Sequence, residues 1–368
     1  MKILFNTMGL GKGGAERVIN LLSNEFVKTN EVMIVTNINS KIEYIFDNKV
    51  IIKCLAKSNN QFTRKLNRIS VSLIVKLRRI ILSYNPDIII SFLPEPSFRL
   101  LLLKKFDRKI KKIPVIVSVR NDPNTEYNKK LYFRIMKELY PNCNQLVLQT
   151  EEAKKYFIQK INYDGVVIPN PVSDDFLIKK YKGERDKRIV AVGRLENQKN
   201  YYNMLNAFKI VNEKIDGYSF DIYGDGYLKE KLQEKINQLG LNNIVKLNGK
   251  VDNVKDKIYK AKVFVMSSDY EGMPNSLLEA ACIGVPCVST DCPCGGPREI
   301  LDNGNSGCLV PVNNPEKLAD GIIKLINDIE YANRISDNAN NNSTKYSKKE
   351  IIKQWKEIIN KTIKESEK

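Results

Sequence analysis

Three short stretches of this 368-residue chain combine glycine, cations and carboxylates in ways that suit a phosphorylated, hydroxyl-rich ligand. The first is Gly9-Leu10-Gly11-Lys12-Gly13-Gly14, set between an apolar run and a helical pattern. Glycines there let backbone N–H groups approach a phosphate at a helix start. The spacing Gly9, Gly11, Gly14 also satisfies the dinucleotide fingerprint, but the second apolar run ends Thr36-Asn37-Ile38-Asn39, without an acid for an adenosine ribose. The motif is therefore either a tight strand-to-helix turn or a close approach to another anion. The second stretch, Val192-Gly193-Arg194-Leu195-Glu196-Asn197-Gln198-Lys199-Asn200, supplies a forked donor in Arg194 and a point charge in Lys199, both suited to a diphosphate. Taken alone, the two would read equally well as solvated surface cations. In the third, Ser268 to Ala280, Glu271 falls in a loop and Glu279 in the following helix, with Asn275 and Ser276 at the helix start. Two such carboxylates can accept hydrogen bonds from vicinal diols, and free amides at the helix start can meet anionic or hydroxyl-bearing groups. With Arg194 and Lys199 at a neighbouring strand end, they make one site.

Positioning these loops requires strands that end beside one another. Apolar runs of about five residues alternate with longer helical patterns throughout, the signature of parallel α/β sheets. The predicted strands are 3–6, 32–36, 50–53, 88–92, 115–119, 145–149 and 166–168, then 188–193, 219–223, 244–247, 263–267, 286–289 and 308–310. Helical patterns fill 15–27 and 128–139. Ile168-Pro169-Asn170-Pro171-Val172 interrupts the alternation, because two prolines stop either regular element. Two doubly wound domains follow, 1–171 and 172–345, with a ligand cleft expected between them. Residues 346–368 form a helix with Ile351, Ile352, Trp355, Ile358 and Ile359 on one side, free to cross back to the first domain. The Asn-rich stretch 338–343 before it reads as a polar loop.

Composition narrows the chemistry. The chain has no histidine, which excludes Ser-His-Asp hydrolysis, histidine zinc sites and phosphohistidine relays. Its net charge of +18 is uneven: residues 1–172 carry 29 basic against 14 acidic side chains, and the remainder 31 against 28. The N-terminal half is built to face something anionic. Seven cysteines, an odd number, are expected as free thiols; the cluster Cys282, Cys287, Cys292 and Cys294 has a faint iron–sulfur spacing, but buried core thiols explain it better. No apolar run approaches the ~18 residues of a membrane span, and the N-terminal residues lack a signal-peptide pattern, so a cytoplasmic protein is expected.

At the level of motifs, the chain resembles the retaining glycosyltransferases of family 4, which have the two-Rossmann GT-B fold. The resemblance rests on Gly13-Gly14-Ala15-Glu16-Arg17, Gly193-Arg194-Leu195 with Lys199-Asn200, and Tyr223-Gly224-Asp225-Gly226. Most specific is Glu271-Gly272-Met273-Pro274 through Glu279-Ala280, continuing to Gly284-Val285-Pro286 and Gly295-Gly296-Pro297-Arg298-Glu299. The resemblance implies that Glu279 holds the nucleotide ribose, Arg194 and Lys199 the diphosphate, and Glu271 the hydroxyls of the donor sugar. It also brings the amides of Gly13 and Gly14 near the diphosphate and lets Gly249-Lys250-Val251 frame the base. Pro274 has no amide to offer.

Many members carry a histidine after the fifth strand, where this chain has Ser118-Val119-Arg120-Asn121-Asp122-Pro123. That pattern is similar to a subgroup extending lipid-linked oligosaccharides for capsule, O-antigen or protein glycosylation, and Arg120 and Asn121 join Glu271 as catalytic candidates. In a front-face retaining displacement the leaving diphosphate can itself take the acceptor proton, so the missing imidazole is not fatal. No Asp-x-Asp motif is present, and neither a metal nor another cofactor is expected.

The basic half then acquires a role. Arg64, Lys65, Arg68, Lys76, Arg78 and Arg79 interleave with Leu66, Ile69, Leu73, Ile74, Leu77 and Ile81, the composition of an interfacial helix on anionic lipid. An ordinary core-facing helix with a solvated face is the alternative. The run 104–112 is the second candidate. No nucleic-acid-binding motif accompanies the charge, and no such partner is expected. The expected function is transfer of a sugar from a nucleotide diphosphate, UDP first among them, to a polyprenol-diphosphate-linked saccharide at the inner face of the cell membrane. A nucleotide-sugar epimerase on the same fold, or a basic nucleic-acid-binding protein, is the competing expectation.

Overall fold

A computed structural model describes residues 1–11, 13–56 and 71–367. Lys12 and the segment 57–70, which holds Arg64, Lys65 and Arg68, lie outside the described residues. Two compact units divide the chain: Met1–Asn170 with the residues from Lys349 on, and Pro171–Lys348.

The N-terminal unit is built on a seven-stranded sheet in the order β3-β2-β1-β4-β5-β6-β7, every pair parallel. The strands are β1 (Lys2–Thr7), β2 (Glu31–Thr36), β3 (Ile51–Cys54), β4 (Ile88–Phe92), β5 (Val115–Ser118), β6 (Gln145–Leu148) and β7 (Val166–Val167). Central strands such as β4, Ile-Ile-Ile-Ser-Phe, are buried along their whole length, whereas the edge strand β3 is mostly exposed. A continuous apolar run is what a parallel strand covered on both faces needs. Helix Gly14–Phe26 covers one part of this sheet with Val18, Ile19, Leu22 and Phe26. The terminal helix Lys348–Ser366 packs into the same core through Ile351, Ile352, Trp355, Ile358 and Ile359.

The C-terminal unit repeats the design with six parallel strands in the order β10-β9-β8-β11-β12-β13. They are β8 (Asp186–Val192), β9 (Ser219–Tyr223), β10 (Val245–Leu247), β11 (Ala261–Met266), β12 (Cys287–Thr290) and β13 (Cys308–Val310). In both sheets the order reverses once, between β1 and β4 and between β8 and β11. Loops leaving the carboxyl ends of such a pair diverge to opposite faces and leave a crevice there.

The structure corrects the reading of the Asn-rich stretch. Residues 338–343 are not a loop, because helix Ile329–Asn341 runs through them into a short 3₁₀ turn, Asn342–Tyr346. Ser336 and Ala339 are buried on its inner face. Asn340 also gives its amide to the carbonyls of Ile178 at 2.8 Å and Cys282 at 2.6 Å. Side chains that favour turns in isolation are satisfied here by backbone acceptors that only the fold brings close.

Candidate functional site

In the C-terminal unit the reversal point between β8 and β11 gathers two of the three sequence motifs. The loop after β8 carries Arg194 to Lys199 and closes on Asn200, whose left-handed backbone (φ 44°) starts helix Tyr201–Lys214. Asn200 caps that helix by accepting from the Asn203 amide, and its own amide reaches Asp269 Oδ1 at 2.7 Å. The loop after β11 is fastened to it twice more: Asp269 N donates to Gln198 O at 2.9 Å, and Ser267 Oγ to the Lys199 and Asn200 carbonyls.

This stitching puts the Lys199 ammonium directly on Glu271 Oε1, with side chains only 15% and 8% exposed. Ser268 Oγ donates to the same oxygen at 2.8 Å, and Gln198 Nε2 to the other at 3.3 Å. Both carboxylate oxygens are therefore engaged. The charge of Glu271 is felt by its neighbours: it adds to burial in raising the Tyr201 phenol and the Cys292 thiol. Ser268 is anchored in turn, because its carbonyl accepts from Thr290 Oγ1 at 2.6 Å.

Glycine makes this loop possible at one position in particular. A Cβ on Gly296, the first residue of helix Gly296–Ile300, would collide with the Gly272 carbonyl in the Glu271 loop. The Glu271 amide also donates to Pro293 O at 2.9 Å, so the glycine-rich segment after β12 braces the carboxylate from behind.

Glu279 lies in helix Asn275–Cys282 and is 8% exposed. It opens onto a cavity of about 210 Å³ that it shares with Phe176, Asp252, Asn253, Val254 and Lys255. Val251, just ahead of that wall, packs against the neighbouring apolar cluster. A carboxylate beside an apolar ring and backbone-rich loop is chemistry suited to a ribose and its base. Asn275 and Ser276 open the helix, half-buried, after Pro274 at its N-cap. Arg194 stands apart from the buried pair: its guanidinium is 62% exposed and meets Glu196 at 3.1 Å.

Cys282 and Cys287 are core residues, in helix Asn275–Cys282 and in β12, with Cys292 and Cys294 buried nearby. Burial pushes the Cys282 thiol up to about 12, which suits an apolar filler rather than a reactive group. No cluster of three or more metal-ligating side chains forms among the described residues.

The N-terminal unit presents its own carboxyl edge. Gly13 and Gly14 lead into helix Gly14–Phe26, braced by Tyr44 Oη on the Gly13 carbonyl at 3.1 Å and by Ser40 Oγ, which accepts from the Leu10 amide at 2.8 Å. Arg120 and Asn121 follow β5, and Asp122 caps the short helix Pro123–Glu126. Arg120 donates to Ser118 Oγ at 2.8 Å and to Asn170 Oδ1 at 3.1 Å.

The expected lipid-facing helix is observed over Val71–Tyr84, and its stripe Leu73, Leu77 and Ile81 is buried in the unit rather than turned outward. Lys76 is committed to the Leu55 carbonyl at 2.8 Å. Arg78 pairs with Asp107, which places the second basic run beside the first. In that run Lys104 is buried and satisfied by the Lys111 and Ile113 carbonyls, its pKa lowered by burial to about 8. What remains exposed is Arg79, Arg108, Lys109, Lys111 and Lys112, and with them Phe106, itself 74% exposed. No helix among the described residues is long and apolar enough to cross a membrane.

Sequence reasoning missed the supporting groups Gln198, Ser268 and Thr290. The first two stood inside the quoted motifs, but nothing in their spacing shows that they converge on one carboxylate.

Two nucleotide-binding-type sheets, each with loops at its reversal point, define the GT-B class. Solved structures of that architecture superpose over nearly the whole chain. The Anabaena protein HepE in complex with UDP matches with a TM-score of 0.81 at 17% identity, covering 98% of this chain and 100% of that one. The lipopolysaccharide outer core galactosyltransferase WaaB matches with a TM-score of 0.74 at 20% identity, covering 98% and 99%. The family described as glycosyltransferase family 4 matches residues 12–176, and that described as glycosyl transferases group 1 matches residues 173–342. An uncharacterized glycosyltransferase of Methanocaldococcus jannaschii is 32% identical over 337 residues, 78% of this chain and 82% of its own. The chain belongs to this glycosyltransferase family. A Campylobacter jejuni relative, 27% identical over 98% of both chains, is named as an α-1,4-N-acetyl-D-galactosaminyltransferase acting on a GalNAc-GalNAc-diNAcBac-PP-undecaprenol acceptor.

Proposed function

We propose that the protein is a retaining glycosyltransferase that moves a hexosyl or N-acetylhexosaminyl group from UDP to a polyprenol-diphosphate-linked saccharide, in surface polysaccharide or glycan biosynthesis. The observation that carries this reading is the buried Lys199–Glu271 pair, set where the loops after β8 and β11 meet, together with the cavity that Glu279 lines from the helix after β11. Lys199 is the point charge for the departing diphosphate, with the exposed Arg194 as a second cation. Glu271 accepts from the donor sugar's hydroxyls, Glu279 from the ribose, and the segment at Val251 lies against the base. The start of helix Asn275–Cys282, with Asn275 and Ser276, faces the anionic part of the donor. The N-terminal unit receives the acceptor. HepE, solved with UDP, supports UDP as the nucleotide, and the Campylobacter relative supports a lipid-linked acceptor. In a front-face displacement the leaving diphosphate takes the acceptor proton, so the reaction runs without an imidazole.

Glu279→Ala tests the donor assignment. Loss of a charged acceptor costs about 1.5–3 kcal/mol, so UDP should bind ten- to a hundredfold more weakly in calorimetry of the folded variant. Unchanged UDP affinity would remove Glu279 from the ribose. The anomeric configuration of the product, read by NMR, decides retention.

The set of exposed cations Arg79, Arg108, Lys109, Lys111 and Lys112 is the proposed contact with anionic lipid at the inner face of the membrane. Each cation at such a surface contributes about 1 kcal/mol before screening. Replacing Arg79, Arg108, Lys109, Lys111 and Lys112 by Gln should abolish co-sedimentation with phosphatidylglycerol vesicles at low salt and spare UDP binding. Undiminished sedimentation would place the contact elsewhere.

A further inference from the structure

The sheet of the N-terminal unit ends on a cation that no anion among the described residues matches. Arg120 gives its Nε–H to Ser118 Oγ and an Nη1–H to Asn170 Oδ1, both neutral acceptors. That Asn170 oxygen is shared with Gln149 Nε2 at 2.7 Å, which fixes it in place. The guanidinium carbon lies 5.5 Å from the Phe92 ring centroid and 5.6 Å from that of Trp355, and these two rings stack on each other at 6.1 Å. Nη2 is buried and has no acceptor among the described residues. The carboxylate next along the chain, Asp122, is occupied by Asn124 N, Thr125 N and Thr125 Oγ1 at 2.7–3.2 Å. Burial lowers the pKa of Arg120, and no charged neighbour among the described residues offsets it.

A half-buried guanidinium packed on aromatic rings ordinarily sits against a carboxylate, and a buried N–H left without an acceptor costs about 1–3 kcal/mol. Aromatic contacts at its face compensate only in part. They also hold the plane of the fork, leaving its edge for a ligand with two oxygens to offer. We propose that Arg120, positioned by Ser118, Asn170, Phe92 and Trp355, is an oxyanion subsite of the N-terminal unit that binds a phosphoryl group of a substrate. This rests on the transferase reading above and gives Arg120 a ligand chemistry within it. Two substrates carry such a group: the donor's nucleoside diphosphate and the acceptor's prenyl diphosphate.

Trp355 is the only tryptophan in the chain, so its fluorescence reports directly on this cation. The full chain is titrated with UDP and, separately, with geranyl diphosphate, with geraniol as the uncharged control and UDP calorimetry run in parallel. The expected result is a saturable change in Trp355 emission with at least one diphosphate and none with geraniol. Arg120→Gln should weaken that response at least tenfold, and Arg120→Lys, which keeps the charge without the fork, should fall between; the lysine variant serves if the glutamine variant does not fold. A response to UDP alone assigns the donor, and a response to geranyl diphosphate alone the acceptor. Silence with both ligands, or an undiminished response in both variants, overturns the subsite. Silent fluorescence with a normal UDP heat overturns it while leaving the transferase reading intact; a missing UDP heat strikes the donor reading as well.

Discussion

Lys199→Met is expected to cut sugar transfer by about two to three orders of magnitude and to lower the melting temperature of the C-terminal unit. The Lys199–Glu271 pair is almost wholly buried, and removing one partner strands the other charge in a low-dielectric interior. Breaking a buried pair costs about 3–5 kcal/mol. For a unit of this size, about 2–4 °C is lost per kcal/mol, so a fall of roughly 10 °C in its calorimetric transition is expected. Turnover should drop by about 10²–10³-fold from loss of charge stabilisation on the leaving group, beyond any loss of folded protein. The double variant Lys199→Met/Glu271→Met separates the two effects. Replacing both charges with apolar side chains of similar length leaves no stranded ion, so stability should largely return while activity does not. A single variant that melts like the wild type would show that the pair does not hold the two loops together.

Trp355→Ala is expected to cost about 3–5 kcal/mol in the N-terminal unit, the range for truncating a fully buried large aromatic side chain. Trp355 has no exposed surface and stacks on Phe92, in the same core as Ile351, Ile352, Ile358 and Ile359 of its helix. Its loss opens a cavity beneath Arg120 and loosens helix Lys348–Ser366 from the sheet. Differential scanning calorimetry should show the N-terminal transition falling while the C-terminal transition stays put. Trp355→Phe keeps most of the contact area and should cost less than half as much. A fall confined to the C-terminal transition would mean that the terminal helix stabilises the other unit.

Much of the architecture is legible in the residues because it depends on local patterning. The strands emerge as runs such as Ile88-Ile89-Ile90-Ser91-Phe92, since a parallel strand buried on both faces must be apolar throughout. The Asn-rich stretch misled for the same reason: asparagine favours turns when only neighbours along the chain are considered, and here distant carbonyls satisfy it. The basic segment 64–81 differs from its interfacial reading in the part that is described, 71–81. Its amphipathic spacing fits a lipid surface and a protein core equally well, and Leu73, Leu77 and Ile81 turn out to face the core.

By itself the sequence determined two parallel α/β units, glycines where backbone must pass close to backbone, and the types of side chain available to a phosphate and a diol. Only the tertiary structure decided which of them meet. Lys199 rather than Arg194 takes Glu271, because Asn200, Asp269 and Ser267 tie the two loops so that the shorter distance belongs to the lysine. Arg120 rests on a tryptophan from the far end of the chain for a similar reason. Periodicity records which face of an element is buried, but the partner of a loop side chain is set by how separate strands end side by side. That information lies in packing between distant segments, where no local pattern reaches.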